Sequence, residues 1–85
     1  MRLSINRLGF SEVELSFSDG TLVLFSYNTP VAARVPNGQV FRTSQKHSKT
    51  TTKHINGWIT KHGFRFVVEK PQEFFDNLLE IERKK

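Results

Sequence analysis

The sequence has no cysteine, one tryptophan, one tyrosine and one methionine in 85 residues. Without cysteine there is no disulfide framework, no thiolate zinc site and no cysteine nucleophile, which agrees with a reducing compartment. Proline (three) and glycine (five) are too sparse for a low-complexity or collagen-like chain. No stretch approaches the roughly 20 apolar residues of a membrane span. The first ten residues lack the apolar core and small-residue cleavage site of a signal peptide. A soluble cytoplasmic protein is expected. At this length a single domain over residues 1–85 is expected, with a thin core and no room for a Rossmann, barrel or kinase architecture.

Acid is also missing, in one place. The net charge is +5 and the isoelectric point about 10.0. Carboxylates occur at Glu12, Glu14 and Asp19, then not again until Glu69. The 49 residues from 20 to 68 carry Arg34, Arg42, Lys46, Lys49, Lys53, Lys61, Arg65 and all three histidines. Surfaces normally mix signs, so an acid-free middle creates a one-sign field that attracts polyanions. The plain alternative is a solvated basic face with no ligand.

The residues present read as strands, then a helix, a strand and a helix. Glu12 to Phe17 and Thr21 to Tyr27 alternate around Asp19-Gly20, a hairpin signal. A two-residue loop there predicts Phe17 opposite Leu22 and Leu15 opposite Leu24, with Glu14 on the other face. Asn28-Thr29-Pro30 is expected to break the chain. Val31 to Val35 and Gln39 to Thr43 follow as strands around Pro36-Asn37-Gly38, and Met1 to Ile5 is a candidate edge strand. Thr50 to His62 reads as a helix, with Ile55, Trp58, Ile59 and His62 on one stripe, Ser48 or Thr50 as N-cap and Gly63 as stop. Gly57 inside it weakens the helix by roughly 1 kcal/mol relative to Ala, which predicts close approach of the sheet beside Trp58. Phe64, Phe66 and Val68 mark one face of a fifth strand. Pro71 opens a last helix with Phe74, Phe75, Leu78, Leu79 and Ile81 as its apolar face. The fold class is α+β: a small, mainly antiparallel sheet of about five strands with two helices, in the order ββββαβα.

The segment from Arg42 to His54 concentrates the chemistry. Four cations, two histidines and six hydroxyls run into a helix N-terminus, where unpaired N–H groups and the helix dipole favour an anion. The candidate anion or nucleic-acid contacts are Arg42, Lys46, Lys49, Thr50, Thr51, Lys53 and His54. Tyr27 joins them as a stacking residue beside the lysines. A capped helix behind a solvated loop explains Ser48 and one threonine, but not Thr50, Thr51 and Thr52 together. No catalytic set is expected: Ser48 and His54 lack an orienting acid, and the histidine spacings suit neither a metal nor a cofactor. His62 is expected to interact with the last carbonyls of its helix.

The strings FSYNTPVAARV (25–35) and SKTTTKHINGW (48–58) resemble a family of small domains of tailed phages and some bacteria. Its pattern is Ser-Tyr-x-Thr-Pro-Val-Ala followed by Thr-Thr-x-x-His-Ile-Asn. The matching positions are Ser26, Tyr27, Thr29, Pro30, Val31 and Ala32, then His54, Ile55 and Asn56. Thr50 and Thr51 keep the family's two residues before the histidine; Thr51 and Thr52 leave one. The resemblance implies provenance and carries no functional residue across. Two readings stand. One is a non-enzymatic binder of nucleic-acid backbone, single- or double-stranded, with little sequence specificity. The other is an interaction module whose basic face meets an acidic host protein, in the host cytoplasm if the chain is phage-encoded.

Overall fold

The structure, a computed structural model, describes the backbone of residues 3–9 and 11–83 and side chains as far as residue 78. Its elements are β1 (Leu3–Gly9), β2 (Glu12–Phe17), β3 (Leu22–Ser26), β4 (Thr29–Arg34), β5 (Val40–Thr43), α1 (Lys49–His62), β6 (Val67–Lys70) and α2 (Gln72–Arg83). The six strands form one sheet in sequence order. Every neighbouring pair is antiparallel except β5 and β6, which run parallel with α1 as their crossover. The class is α+β, as the pattern predicts, with one strand more. The extra strand is β1, longer than the expected edge piece, of which Met1 and Arg2 lie outside the described residues.

Two loops share one design. Phe17 N–H donates to the Thr21 carbonyl (2.9 Å) and Gly20 N–H to the Phe17 carbonyl (3.0 Å). Val35 and Gln39, then Gly38 and Val35, repeat those bonds at 2.9 Å each. Gly20 and Gly38 sit at φ 97° and 94°, the left-handed residue that closes a three-residue hairpin loop. Asp19 and Asn37 each accept, through Oδ1, the N–H two residues on at 2.9 Å. The first loop is therefore one residue longer than the two-residue reading. The pairing becomes Ser16 with Leu22, Leu15 with Val23 and Glu14 with Leu24. A one-residue slip moves every side chain to the other face, so Val13, Leu15 and Phe17 join Val23 and Phe25, and Glu14 joins Leu24.

The expected break after β3 is instead a two-residue turn. Tyr27 and Asn28 adopt φ 51° and 68°, which matches a type I′ hairpin. β4 starts at once. Pro30 stands opposite Phe25 beside a bulge at Val31, an irregularity that accommodates a residue with no N–H to donate.

The helices cover opposite faces of the sheet. Ile55 and Trp58 of α1 pack on Leu24, Val31, Ala32 and Val40. Phe75 of α2 packs on Val23, Ala33 and Phe41, flanked by Phe74 and Leu78. The side chains of Leu79 and Ile81, expected on the same apolar face, lie outside the described ones. Toward β1 the α2 side of the sheet stays open, where Leu3 is 48% and Ile5 67% exposed. Phe64 does not share a strand face with Phe66 and Val68. It follows the α1 cap, donating its N–H to the Ile59 carbonyl (3.1 Å), and packs edge-on against Trp58. The hydrophobic residue after a left-handed glycine commonly folds back on the helix in this way. β6 starts only at Val67, which packs under α1, while Phe66 is 87% exposed.

Candidate nucleic-acid interface

α1 begins where Ser48 turns back on it. The Ser48 hydroxyl accepts the Thr51 N–H at 3.2 Å, and its carbonyl accepts the Thr52 hydroxyl at 3.2 Å. The first turn contains no acid, and the last contains Lys61 and His62. Gly63, at φ 71°, ends the helix. At about 100° per residue, Thr51, Ile55, Trp58 and His62 point to the sheet. Lys49, Lys53, Asn56, Gly57 and Thr60 form the outward crest, and Thr50 and Lys61 lie on the flank shared with His54. All seven crest and flank residues are exposed, and His54 is half-buried.

The expected contacts surround this crest, with one exception. Arg42 rises from β5, and its Nη1 donates to Asn56 Oδ1 at 3.0 Å. Its Nε is buried without a partner among the described residues. Lys46 is exposed on the loop before α1. Tyr27 is 55% exposed at the β3–β4 turn, with its ring centre 6.0 Å from that of His54. The exception is Thr51. It was expected to offer its hydroxyl outward, but it lies beneath the helix at 4% exposure. It falls four residues before Ile55, on the same inward stripe, and that spacing was the missed signal. Phe25 of β3 and Phe41 of β5, by contrast, pack toward α2.

Two polar clusters lie under α1. In the first, Ser26 Oγ is 2.9 Å from Thr51 Oγ1 and 2.8 Å from His54 Nδ1. His54 thus pairs with Ser26 and not with Ser48. Ser26 is 2% exposed, so its hydroxyl is closed to substrate and orients the His54 ring. In the second, Glu14 Oε2 accepts from Trp58 Nε1 and is bonded to His62 Nε2, each at 2.7 Å. His62 therefore reaches a carboxylate on β2 and not the helix-end carbonyls. Burial pushes the Glu14 carboxyl up, but hydrogen bonds from Trp58 and His62, the charge of His62 and a hydrogen bond from Asn6 outweigh it. The net effect holds the carboxyl below the usual range. Neither Ser26 nor Glu14 was among the expected site residues, because their partners lie 25 or more residues away.

The basic loop is tied down at its base. Gln72 Oε1 accepts from the Thr43 hydroxyl (2.9 Å) and meets His47 Nε2 at 3.0 Å. Gln72 Nε2 donates to the Pro30 carbonyl at 2.6 Å. Ser44 N–H donates to the Lys70 carbonyl at 2.8 Å. Among the described residues the only ion pair joins His62 to Glu14. Arg42, Lys46, Lys49, Lys53 and Lys61 thus face solvent or neutral groups with their charge uncompensated by a contact. Also among the described residues, no three histidine, aspartate or glutamate side chains gather to hold a metal ion, and no helix is long and apolar enough to cross a membrane.

A search of curated proteins and a search of solved structures both return no match. A family model does match, over residues 4–77, from β1 into α2 and including the whole of α1 and the loop before it. On that match the chain belongs to the Family of unknown function (DUF8033).

Proposed function

We propose that this protein is a non-enzymatic binder of nucleic-acid backbone that uses the outward side of α1 and the loop before it. The observation that carries the reading is the set of cations around one helix, Arg42, Lys46, Lys49, Lys53 and Lys61, none in an ion pair among the described residues. Phosphate contacts need charge with hydroxyl and amide donors between, and Thr50, Asn56 and Thr60 stand among these cations. Tyr27 and His54 border the same surface, Tyr27 as the stacking residue and His54 as a phosphate contact. With no base-reading element in view, affinity is expected to be electrostatic and nearly indifferent to sequence. The Ser26 hydroxyl, buried under α1 beside His54, supports a role without catalysis. The phage provenance that the resemblance implies fits a small DNA-handling protein and a host-directed inhibitor alike.

The test is binding to short single- and double-stranded oligonucleotides across salt concentrations. Lys46→Glu with Lys49→Glu should weaken binding to all sequences alike and flatten the slope of log K against log salt by roughly one to two units. A wild-type protein that binds no oligonucleotide at low ionic strength sinks the proposal. The same cations would then be read as meeting an acidic protein surface.

A further inference from the structure

Gly57 sits in the middle of α1, where glycine is among the worst residues for helix stability. The sequence suggested that the sheet presses against it. The structure places it on the exposed side, and a Cβ built there would meet nothing within 4 Å. It does not use a left-handed conformation either, unlike Gly20, Gly38 and Gly63. Nothing in the fold therefore requires a glycine at this position.

Its surroundings are specific. Lys49, Lys53, Gly57 and Lys61 recur every four residues, so the glycine is a gap in a row of lysines. Lys53 and Lys61 stand about 12 Å apart along the axis on either side of it, at 1.5 Å per residue. Asn56, fixed by Arg42, and Thr60 flank the gap with neutral polar groups. No aromatic or aliphatic side chain lies on this outward crest; the exposed aromatic beside it, Tyr27, stands off the helix at the β3–β4 turn, next to His54. Single-strand binders stack bases on aromatic platforms, whereas a duplex hides its bases and presents phosphates and sugars.

Building on the functional reading above, we propose that α1 takes the sugar–phosphate backbone of duplex nucleic acid across its middle. Gly57 is the point of closest approach, and Lys53 and Lys61 hold the phosphates on either side. A side chain at position 57 would lift the strand off the helix.

The glycine makes two effects of opposite sign separable. Gly57→Ala should raise the melting temperature by about 4–8 °C, since a better helix former replaces glycine in open space. The same variant should lose about fivefold or more in affinity for a short duplex, by fluorescence anisotropy at low salt. Gly57→Gln should lose more, and wild-type protein should prefer the duplex to either of its strands. Four results would overturn the inference. If Gly57→Ala binds duplex as wild type does while Lys53→Glu weakens it, the glycine has no contact role and the broader reading stands. If Gly57→Ala lowers the melting temperature, the glycine serves the fold. If single strands bind as tightly as duplex, the partner is wrong. If wild-type protein shows no salt-sensitive binding to either, the broader reading falls and this one with it.

Discussion

The two faces of the sheet hold their helices by different means. On the α2 face Val23, Ala33, Phe41 and Phe75 are packed with Phe74 and Leu78, and area and ring contacts are joined by polar bonds at the start of the helix, where Gln72 meets Thr43, His47 and the Pro30 carbonyl. On the α1 face an apolar patch of similar make-up is bracketed by polar bonds, with Glu14 gripping Trp58 and His62 toward one end and Ser26 gripping Thr51 and His54 toward the other. Apolar contact is non-directional and tolerates small rotations of a helix. A carboxylate that must meet an indole N–H and an imidazole fixes both rotation and axial position. The helix that carries the proposed binding surface is held by such bonds toward both ends, which fixes where its lysines stand relative to the sheet.

The largest effects should be the same on both faces. Phe75→Ala and Trp58→Ala are each expected to destabilise by about 3–5 kcal/mol, read from urea unfolding, as for other large buried aromatics. A Trp58→Ala protein that unfolds like wild type would remove Trp58 from the core. Trp58→Phe sharpens the contrast, because it keeps most of the ring and deletes the donor to Glu14. A loss of about 1.5–3 kcal/mol is expected, the range for a hydrogen bond to a charged group. No loss would mean that the Glu14 contact contributes nothing to holding α1.

Acid should act on the α1 face through Glu14. Its folded carboxyl titrates below the ordinary value. Its contribution to stability is therefore fully present above the ordinary carboxylate range and is lost as pH falls through the lowered folded value. Glu14→Gln should flatten that part of the stability-against-pH curve. An unchanged curve in the variant would assign the acid sensitivity to other groups. The smallest effect is expected from Ser26→Ala, about 1 kcal/mol for one neutral hydroxyl network, with a change in the His54 ring nitrogen shifts by NMR. Unchanged shifts would show that the serine does not orient that ring.

Much of the fold was legible because its signals are local. Ser48 capping, the Gly63 stop, the Asp-Gly and Asn-Gly turns and Pro71 just before α2 each depend on a few backbone groups. α1 accordingly differs from the reading by one residue at its start. The face of β2 was not legible, because it depended on whether Asp19-Gly20 closes a two- or a three-residue loop. That single residue decided whether Glu14 met water or Trp58. The cations of the candidate site were legible as a run without acid, since lysines on a helix without partners stay outside. Thr51 was misplaced because its partner Ser26 is remote in sequence, and Gly57 because the reading assumed that a helical glycine answers to its own fold.

The one parallel pair of the sheet has a consequence in time. β1 to β5 are a meander in which each strand finds its neighbour through a loop of a few residues, the fastest kind of closure. β6 must wait for α1, because it pairs with β5 only after the chain has travelled the length of that helix. Folding is thus expected to run in chain order, with the meander as nucleus and β6 as the late clasp. Substitutions at Val67 should speed unfolding and leave the folding rate nearly untouched. Because β6 and α2 follow each other directly, the clasp would seat the second helix in the same step, and a chain that has not reached β6 would leave the α2 face of its sheet bare.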